Sequence, residues 1–338
     1  MKRLTIVTLA TVATVLLTTA SAFSWGFAVH AYVADQIGKQ DGDPNINEVY
    51  GATLPDLFNY AFAMPPGLFE PTCDSDTLFA ITHTANFTDV VEQKNTGLAK
   101  RLAVGFYSHN QVGGADFTAH ENSAVAGTLG YVIEKAYTLQ NMLESAPPEV
   151  LPPPLRAVLP GISQEDSHQL YHSVVEYSVD LLLKEHVPEV GPLMMDGASF
   201  WSVGYLPPVL TDAFTDDVAD SCFDGDPLQA AAYISLVEMV HRQGVFDEGS
   251  ILTLPSEQAR YYTAKRLAVL AIMYLGYSLD PNDINYMNPE PLTELAEAYL
   301  QVGMWLCLDD YLNDVEATVD MVRDNMADAG IIKYEKEK

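Results

Sequence analysis

Residues 165–185 read EDSHQLYHSVVEYSVDLLLKE and carry the clearest helical pattern of the chain. Apolar residues recur there at spacings of three and four, and Pro188 follows soon after, which is typical of an α-helix and its end. Four ionisable side chains share one face of this helix because they recur every four residues: His168, His172, Glu176 and Asp180. An imidazole and a carboxylate one turn apart can hold one metal ion. Taken alone, this spacing is more often a solvated helix face than a metal site.

The same periodicity extends over most of the chain and predicts an all-α fold, a multi-helix bundle without clear alternating strand patterns. Further helical regions are predicted at residues 30–38, 99–107, 124–144, 228–243, 256–277 and 291–326, and the last of these is expected to contain a break. Residues 147–160 hold six prolines and predict a rigid loop.

Residues 191–227 differ from this pattern because they combine aromatic residues, acids and four prolines. They are interpreted as a long loop, for which two roles are open: a lid or binding loop, or a surface excursion packed by its own aromatic residues. In the first role, its aromatic rings could receive a cationic head group.

The first residues predict a secretory signal, with Lys2 and Arg3 followed by an apolar run too short to span a bilayer. Cleavage before Trp25 is favoured over cleavage before Phe23, and an uncleaved anchor is the minor alternative. The predicted organisation is a signal peptide at 1–24 and one all-α domain at 25–338, with a core at 25–185 and a helical extension at 228–338. The protein is therefore expected to be secreted or periplasmic.

The chain is strongly acidic, with 46 Asp and Glu against 17 Lys and Arg and a formal charge of −29. This balance disfavours broad binding of nucleic-acid phosphates, which relies on basic residues. Bound divalent cations would offset part of the charge. The three cysteines, Cys73, Cys222 and Cys307, allow at most one internal disulfide, and buried free thiols are an equal alternative.

Histidines and acids cluster in the first half of the chain, since seven of the eight histidines precede residue 187. His109, Asp116 and His120 fall within twelve residues, and Gly113–Gly114 interrupts them. Asp56 follows Pro55 in a turn-like segment, where a lone aspartate is usually a helix cap. A lone histidine such as His83 is usually a hydrogen-bonded structural residue.

The order of these residues resembles the zinc-dependent phospholipase C family, whose all-helical fold is shared with the S1/P1 nucleases. Trp25-Gly26-x3-His30 looks like the nuclease opening, whereas Gly51-x3-Pro55-Asp56 and His172-x3-Glu176 look like the phospholipase branch. The resemblance covers residues 25 to about 185. Six residues separate His109 from Asp116, where the family pattern has three.

The resemblance implies three zinc ions. The α-amine and carbonyl of Trp25 and the imidazole of His30 would hold the first. The second would be held by Asp56, His83 and His109, and the third by His120, His172 and Glu176, with His168 as a competitor of His172. Asp116 would bridge between metals. His241 lies outside the pattern and is expected to affect neither metal binding nor activity.

These ligands predict a hydrolase of phosphodiesters. Three zinc ions carry six positive charges against three carboxylates, and the surplus suits an anionic phosphoryl group. The metals would activate a water that attacks phosphorus, and Asp56 would orient or deprotonate that water. Phospholipase C activity with transient membrane contact is preferred. An S1/P1-type nuclease or nucleotidase is the alternative, although no stable nucleic-acid partner is expected. A non-catalytic zinc-binding surface protein is a third interpretation.

Overall fold

A computed structural model describes residues 25–38, 45–63, 68–69, 71–73, 75–83, 97–146, 164–201, 206–274, 282 and 288–332. The predicted signal peptide at residues 1–24 and the proline-rich segment at 147–160 lie outside these regions.

The described residues form thirteen α-helices and one long 3₁₀ segment, Leu54–Ala63, and contain no strand. The all-α prediction is therefore confirmed. The helices, in chain order, are α1 Phe27–Gly38, α2 Ile46–Gly51, α3 Ser75–Thr82, α4 Gly97–His109, α5 Ala115–His120, α6 Tyr131–Ser145, α7 Gln164–His186, α8 Val190–Phe200, α9 Leu206–Cys222, α10 Pro227–Leu252, α11 Ser256–Tyr274, α12 Pro289–Cys307 and α13 Tyr311–Asp328.

The helix predicted from residues 165–185 is the central element of the bundle. In α7 every residue from Tyr171 to Lys184 is buried, because α1, α6, α11 and α12 pack around it. The His172, Glu176 and Asp180 face is thus an interior face rather than a solvated one. The C-terminal helices belong to the same core: α12 packs on α6 and α7, and α13 packs on α1, α4 and α5.

The predicted long loop at 191–227 is wrong, because most of it forms α8 and α9. Apolar side chains recur every four residues and are buried in both helices: Val190, Met194 and Ala198 in α8, and Leu210, Phe214 and Val218 in α9. Both helices pack against α10. The prolines misled the prediction, since Pro207 and Pro208 occupy the first turn of α9, where a missing N–H is tolerated.

One helix limit also differs from the predicted one. The helix expected from residue 124 begins only at Tyr131, since residues 121–129 form turns and bends in which Gly127 adopts a φ of +63°. The predicted break in the last helical region is confirmed by the turn at 308–310 between α12 and α13. None of the described helices is both long and apolar enough to cross a membrane.

One disulfide joins Cys73 to Cys222, with the two Cα atoms 4.7 Å apart. It connects the segment before α3 to the end of α9, and the Thr72 N–H donates to the Cys222 carbonyl oxygen beside it, at 2.9 Å. Cys307 is a free, buried thiol. Of the two alternatives for the three cysteines, one disulfide or free buried thiols only, the chain thus adopts the disulfide. The bond closes a long loop across the bundle.

Helices α2 and α4 cross with their backbones in contact through two glycines. A Cβ at Gly105 would lie 1.9 Å from the Glu48 carbonyl oxygen, and one at Gly51 would lie 2.2 Å from the Leu102 carbonyl oxygen. Because the neighbouring atoms belong to the backbone, neither can rotate away. The crossing fixes the start of the Leu54–Ala63 segment, which bears Asp56, against α4, which ends at His109.

We expect Gly105→Ala to lower the free energy of unfolding by about 3 kcal/mol, because the two helix backbones must separate to admit the methyl group. Chemical denaturation measures this change. The control on the same helix is Lys100→Ala, whose side chain is exposed and whose loss should change stability by less than about 0.5 kcal/mol. Equal stability of Gly105→Ala and the unsubstituted protein would contradict the close crossing.

Candidate metal centre

The chain between His109 and Asp116 turns back on itself. Helix α4 ends at His109, a tight turn follows, and α5 begins at Ala115. The Asn110 side chain shapes the turn, since its Oδ1 accepts the N–H groups of Val112 and Gly113 at 2.8 and 3.0 Å. A Cβ at Gly114 would lie 2.4 Å from the Asn110 nitrogen, so the backbone passes where only glycine fits. This turn brings Asp116 back to His109 despite the six residues between them in the sequence.

Asp116 lies at the centre of three imidazoles. Its Oδ1 is 3.8 Å from His30 Nε2 and 3.6 Å from His109 Nε2, and its Oδ2 is 3.5 Å from His83 Nε2. These separations are longer than hydrogen bonds. Both carboxylate oxygens of Asp116 are buried without a hydrogen-bond partner among the described residues. An ionised carboxylate in such surroundings is costly unless a nearby positive charge offsets it.

The rings of His83 and His109 are oriented by hydrogen bonds on their far side. His109 Nδ1 lies 2.7 Å from the Ala52 carbonyl oxygen, and His83 Nδ1 lies 3.0 Å from the Phe79 carbonyl oxygen. A carbonyl can only accept, so each Nδ1 carries a proton, and each Nε2 presents a lone pair to the cluster whenever the ring is neutral. Histidines that bind metals usually donate their other ring N–H to a carbonyl or carboxylate oxygen in this way.

Asp56 lies on the other side of the same two imidazoles. Its Oδ1 is 3.7 Å from His83 Nε2 and 3.9 Å from His109 Nε2, and the Asn59 amide donates to that oxygen at 2.7 Å. The Thr82 hydroxyl donates to the Pro55 carbonyl oxygen at 2.6 Å and ties the end of α3 to the Asp56 segment. Asp56, His83 and His109 thus form one group that could hold a metal ion.

A further group joins α5 to α7. His172 Nε2 lies 3.4 Å from His120 Nε2 and 2.9 Å from Glu176 Oε1. His172 and Glu176 are one helical turn apart and both 2% exposed. Together with His120, at the end of α5, they form a second group that could hold a metal ion.

Helix α1 carries His30, and an acidic side chain of α7, Asp180, caps its first turn. Asp180 accepts hydrogen bonds from the Ala28 and Val29 N–H groups, each at 3.2 Å, and so caps α1 from outside. A Cβ at Gly26 would lie 2.3 Å from an Asp180 carboxylate oxygen, which accounts for glycine at this position. His30, His109 and Asp116 form the third group that could hold a metal ion, and the His30 and His109 rings stack at 3.7 Å.

Trp25 is fully buried beside this group. Its indole N–H donates to the Thr118 hydroxyl at 3.0 Å, and its ring stacks on Tyr131 with centroids 5.1 Å apart. The Trp25 backbone also lies close enough to the His30 ring to raise the pKa of that histidine, against the larger effect of burial. Coordination by the Trp25 amine stays a prediction, because the residues before it lie outside the described part of the chain.

The electrostatics of the cluster favour neutral rings at its edges and a positive charge at its centre. Burial and the neighbouring imidazoles lower the pKa values of His30 and His120 well below the usual range, which keeps a lone pair on each ring. Burial would also lower the pKa of His109, but Asp116 and Asp56 outweigh it and raise that pKa to about 9. Burial raises the pKa of Asp116. A proton on His109 or a bound cation supplies the missing positive charge.

The structure brings eight of the nine predicted ligands into these three groups, and the grouping differs from the expected one only at His30. The structure places His30 beside Asp116 and His109. Asp116 also lies 3.5 Å from His83, a member of the group that contains Asp56. Among the described side chains the groups are built on α1, the Leu54–Ala63 segment, the end of α3, α4, α5 and α7. The side chain of His168, the competitor of His172, lies outside the described part of the chain.

His241 is a residue whose position the sequence did not reveal. It is fully buried on α10, its Nε2 donates to the Thr53 carbonyl oxygen at 2.8 Å, and burial lowers its pKa to about 3. Since Thr53 lies three residues before Asp56, His241 supports the segment that presents Asp56. Its replacement was expected to change neither metal binding nor activity. Because 188 residues separate His241 from Thr53, no local sequence pattern indicates this contact.

Comparison of this chain with protein-family models, with curated proteins and with solved structures finds no match. What the centre does must therefore be argued from its own geometry.

We expect Asp180→Ala to lower the free energy of unfolding by about 2 kcal/mol, because the buried Ala28 N–H loses its acceptor and the Val29 N–H keeps only the Gly26 carbonyl oxygen. Asp180→Asn should cost less, about 1 kcal/mol, since its amide oxygen can still accept one of them. Thermal or chemical denaturation distinguishes the two variants. The control is Asp226→Ala, which removes an exposed cap that accepts the Leu228 and Gln229 N–H groups of α10 and should cost about 1 kcal/mol. Equal effects of Asp180→Ala and Asp226→Ala would contradict the buried cap.

Proposed function

We propose that this protein is a zinc-dependent hydrolase of phosphodiesters, most closely a phospholipase C that cuts a phospholipid between glycerol and phosphate. The observation that carries the proposal is the position of Asp116, buried at 3.5 to 3.8 Å from three imidazoles, with no hydrogen-bond partner for either oxygen among the described residues. Such a centre is suited to several cations held close together.

The donor set and its spacing fit zinc. Two ligand atoms on one tetrahedral zinc lie roughly 3.3 Å apart when each bond is about 2.0 to 2.1 Å. The imidazole and carboxylate atoms face one another at 3.4 to 3.9 Å, apart from the 2.9 Å between His172 and Glu176. Imidazole nitrogen with carboxylate oxygen is a common zinc donor set. The three ions would be held by His30, Asp116 and His109; by Asp56, His83 and His109; and by His120, His172 and Glu176.

Zinc ions bound there would lower the pKa of a water and stabilise the charge that develops on phosphate and leaving-group oxygens. Asp56 would orient the attacking water or take its proton, with its own position fixed by the Asn59 amide. Ala52 and Phe79 would hold the His109 and His83 rings in the tautomer that binds metal through Nε2. A covalent protein nucleophile is unnecessary.

The surface beside His120 favours a lipid over a nucleic acid. The loop after His120 begins with the exposed Glu121, and the rest of it, residues 122–130, reads NSAVAGTLG without a charge. Val125 and Leu129 in this part are 62% and 51% exposed. A partly apolar loop with a single charge next to the metal centre suits contact with a lipid surface. The formal charge of −29 disfavours an extended polyphosphate chain. This reading predicts secretion or export to the periplasm, which agrees with the disulfide between Cys73 and Cys222.

The nuclease alternative keeps the same metals and is supported by the resemblance of the Trp25-Gly26-x3-His30 opening. The non-catalytic alternative rested on the wide His109 to Asp116 spacing. It loses support because the turn at 110–114 returns Asp116 to within 3.6 Å of His109.

A direct comparison of substrates tests the proposal. The zinc-loaded protein is expected to hydrolyse a chromogenic phosphocholine ester faster than it degrades single-stranded DNA, and to lose activity on removal of zinc by a chelator. Faster degradation of DNA would favour the nuclease. Turnover of neither substrate, with zinc bound, would favour the non-catalytic alternative.

We expect His172→Ala and Glu176→Ala to lose zinc and more than about a hundredfold of the activity together, since loss of outer-shell partners alone costs 10- to 100-fold. Metal analysis per chain and hydrolysis rates give both quantities. The matched control is His186→Ala, an exposed histidine on the same helix, which should retain both. Full activity in Glu176→Ala would contradict the assignment.

A further inference from the structure

The C-terminal helix α13 holds the short segment that carries two of the candidate ligands. Three polar side chains of α13 contact that segment at three points: Asp314, Thr318 and Asn325. Their spacings of four and seven place them on one face of the helix. Asn325 donates to the Gly113 carbonyl oxygen at 3.0 Å, before α5, and Asp314 accepts the Ser123 hydroxyl after it. Thr318 contacts Thr118 within α5 at 2.9 Å.

The contact in the middle is made at the Thr118 hydroxyl, whose donor and acceptor positions are all used; we call it the Thr118 node. The Thr118 hydroxyl donates to the Ala115 carbonyl oxygen at 2.7 Å, accepts the Trp25 indole N–H at 3.0 Å and accepts the Thr318 hydroxyl at 2.9 Å. A threonine hydroxyl has one donor and two acceptor positions, so this one is complete. Thr118 and Thr318 are both 0% exposed. The node fixes α13, α5 and Trp25 to one another.

Helix α5 needs such support because it has only six residues and its N-cap, Gly114, provides no side-chain hydrogen bond. An isolated helix of this length is not stable in water. Yet Asp116 and His120, each two residues from Thr118, must hold positions set to a fraction of an ångström for metal binding. The wider loop between His109 and Asp116 adds freedom that α4 alone does not remove.

We propose that α13 is a positioning element for the metal centre, in which Thr318 and Asn325 set the placement of Asp116 and His120 through Thr118 and Gly113. The proposal rests on metal binding by the cluster and not on which phosphodiester is cut. It assigns a role to the C-terminal helices, which the family resemblance of residues 25–185 does not cover.

The test compares Thr318→Val, which removes only the hydroxyl at nearly constant volume, with Thr318→Ser, which retains it. We expect Thr318→Val to weaken binding of at least one metal ion about tenfold, the scale of second-shell effects, and to alter the visible absorption of the cobalt-substituted protein. Combining it with Asn325→Ala should deepen the loss. Thr318→Ser should restore the affinity and the cobalt spectrum of the unsubstituted protein.

The matched control is Thr293→Val on α12, a buried threonine whose hydroxyl donates to the Pro289 carbonyl oxygen at 2.9 Å. It should lower stability without changing cobalt absorption or metal affinity, which separates a positioning role from general destabilisation. Unchanged metal affinity and spectrum in Thr318→Val would overturn the proposal. Failure of the unsubstituted protein to bind zinc or cobalt would instead overturn the proposed function, and the role of α13 with it.

Discussion

The carboxylate of Asp116 is the constraint around which the bundle is organised. It is fully buried, and the Nε2 atoms of His30, His83 and His109 lie 3.5 to 3.8 Å from its oxygens, too far for hydrogen bonds. A buried charge in this state is costly unless a cation offsets it. The elements around it are arranged accordingly: the capped start of α1, the glycine crossing of α2 and α4, and the turn at 110–114 all bring ligands from distant parts of the chain to one point.

Much of this arrangement could be predicted from the sequence, because the residues that share one helix face are close together along the chain. The spacing of His172, Glu176 and Asp180 predicted one helix face, and the structure places that face inside the bundle. Its third member has a different task from the first two: Asp180 caps α1 rather than joining a metal group. Periodicity identifies which residues share a face, but it does not state what that face meets.

The parts that were missed depend on contacts between distant residues. The aromatic residues, acids and prolines between residues 191 and 227 suggested a loop, yet Phe214 is buried in α9, and Pro207 and Pro208 open that helix. His241 and Thr318 gave no signal, since each acts on a segment about 190 to 200 residues earlier in the chain. The candidate metal ligands themselves were predictable because their residue types are distinctive. Their supports are ordinary residues whose importance appears only once the chain is folded.

The node at Thr118 has a consequence for how the protein is made. Residue 25 and residue 318 meet on one hydroxyl group, so nearly the entire polypeptide must have left the ribosome before this junction can close. A nascent chain that has emerged only as far as α7 already possesses the eight ionisable candidate ligands but lacks α13, which contacts the segment that bears two of them. With α13 in the proposed positioning role, complete loading of the centre is a late event of biogenesis, which follows synthesis rather than accompanying it.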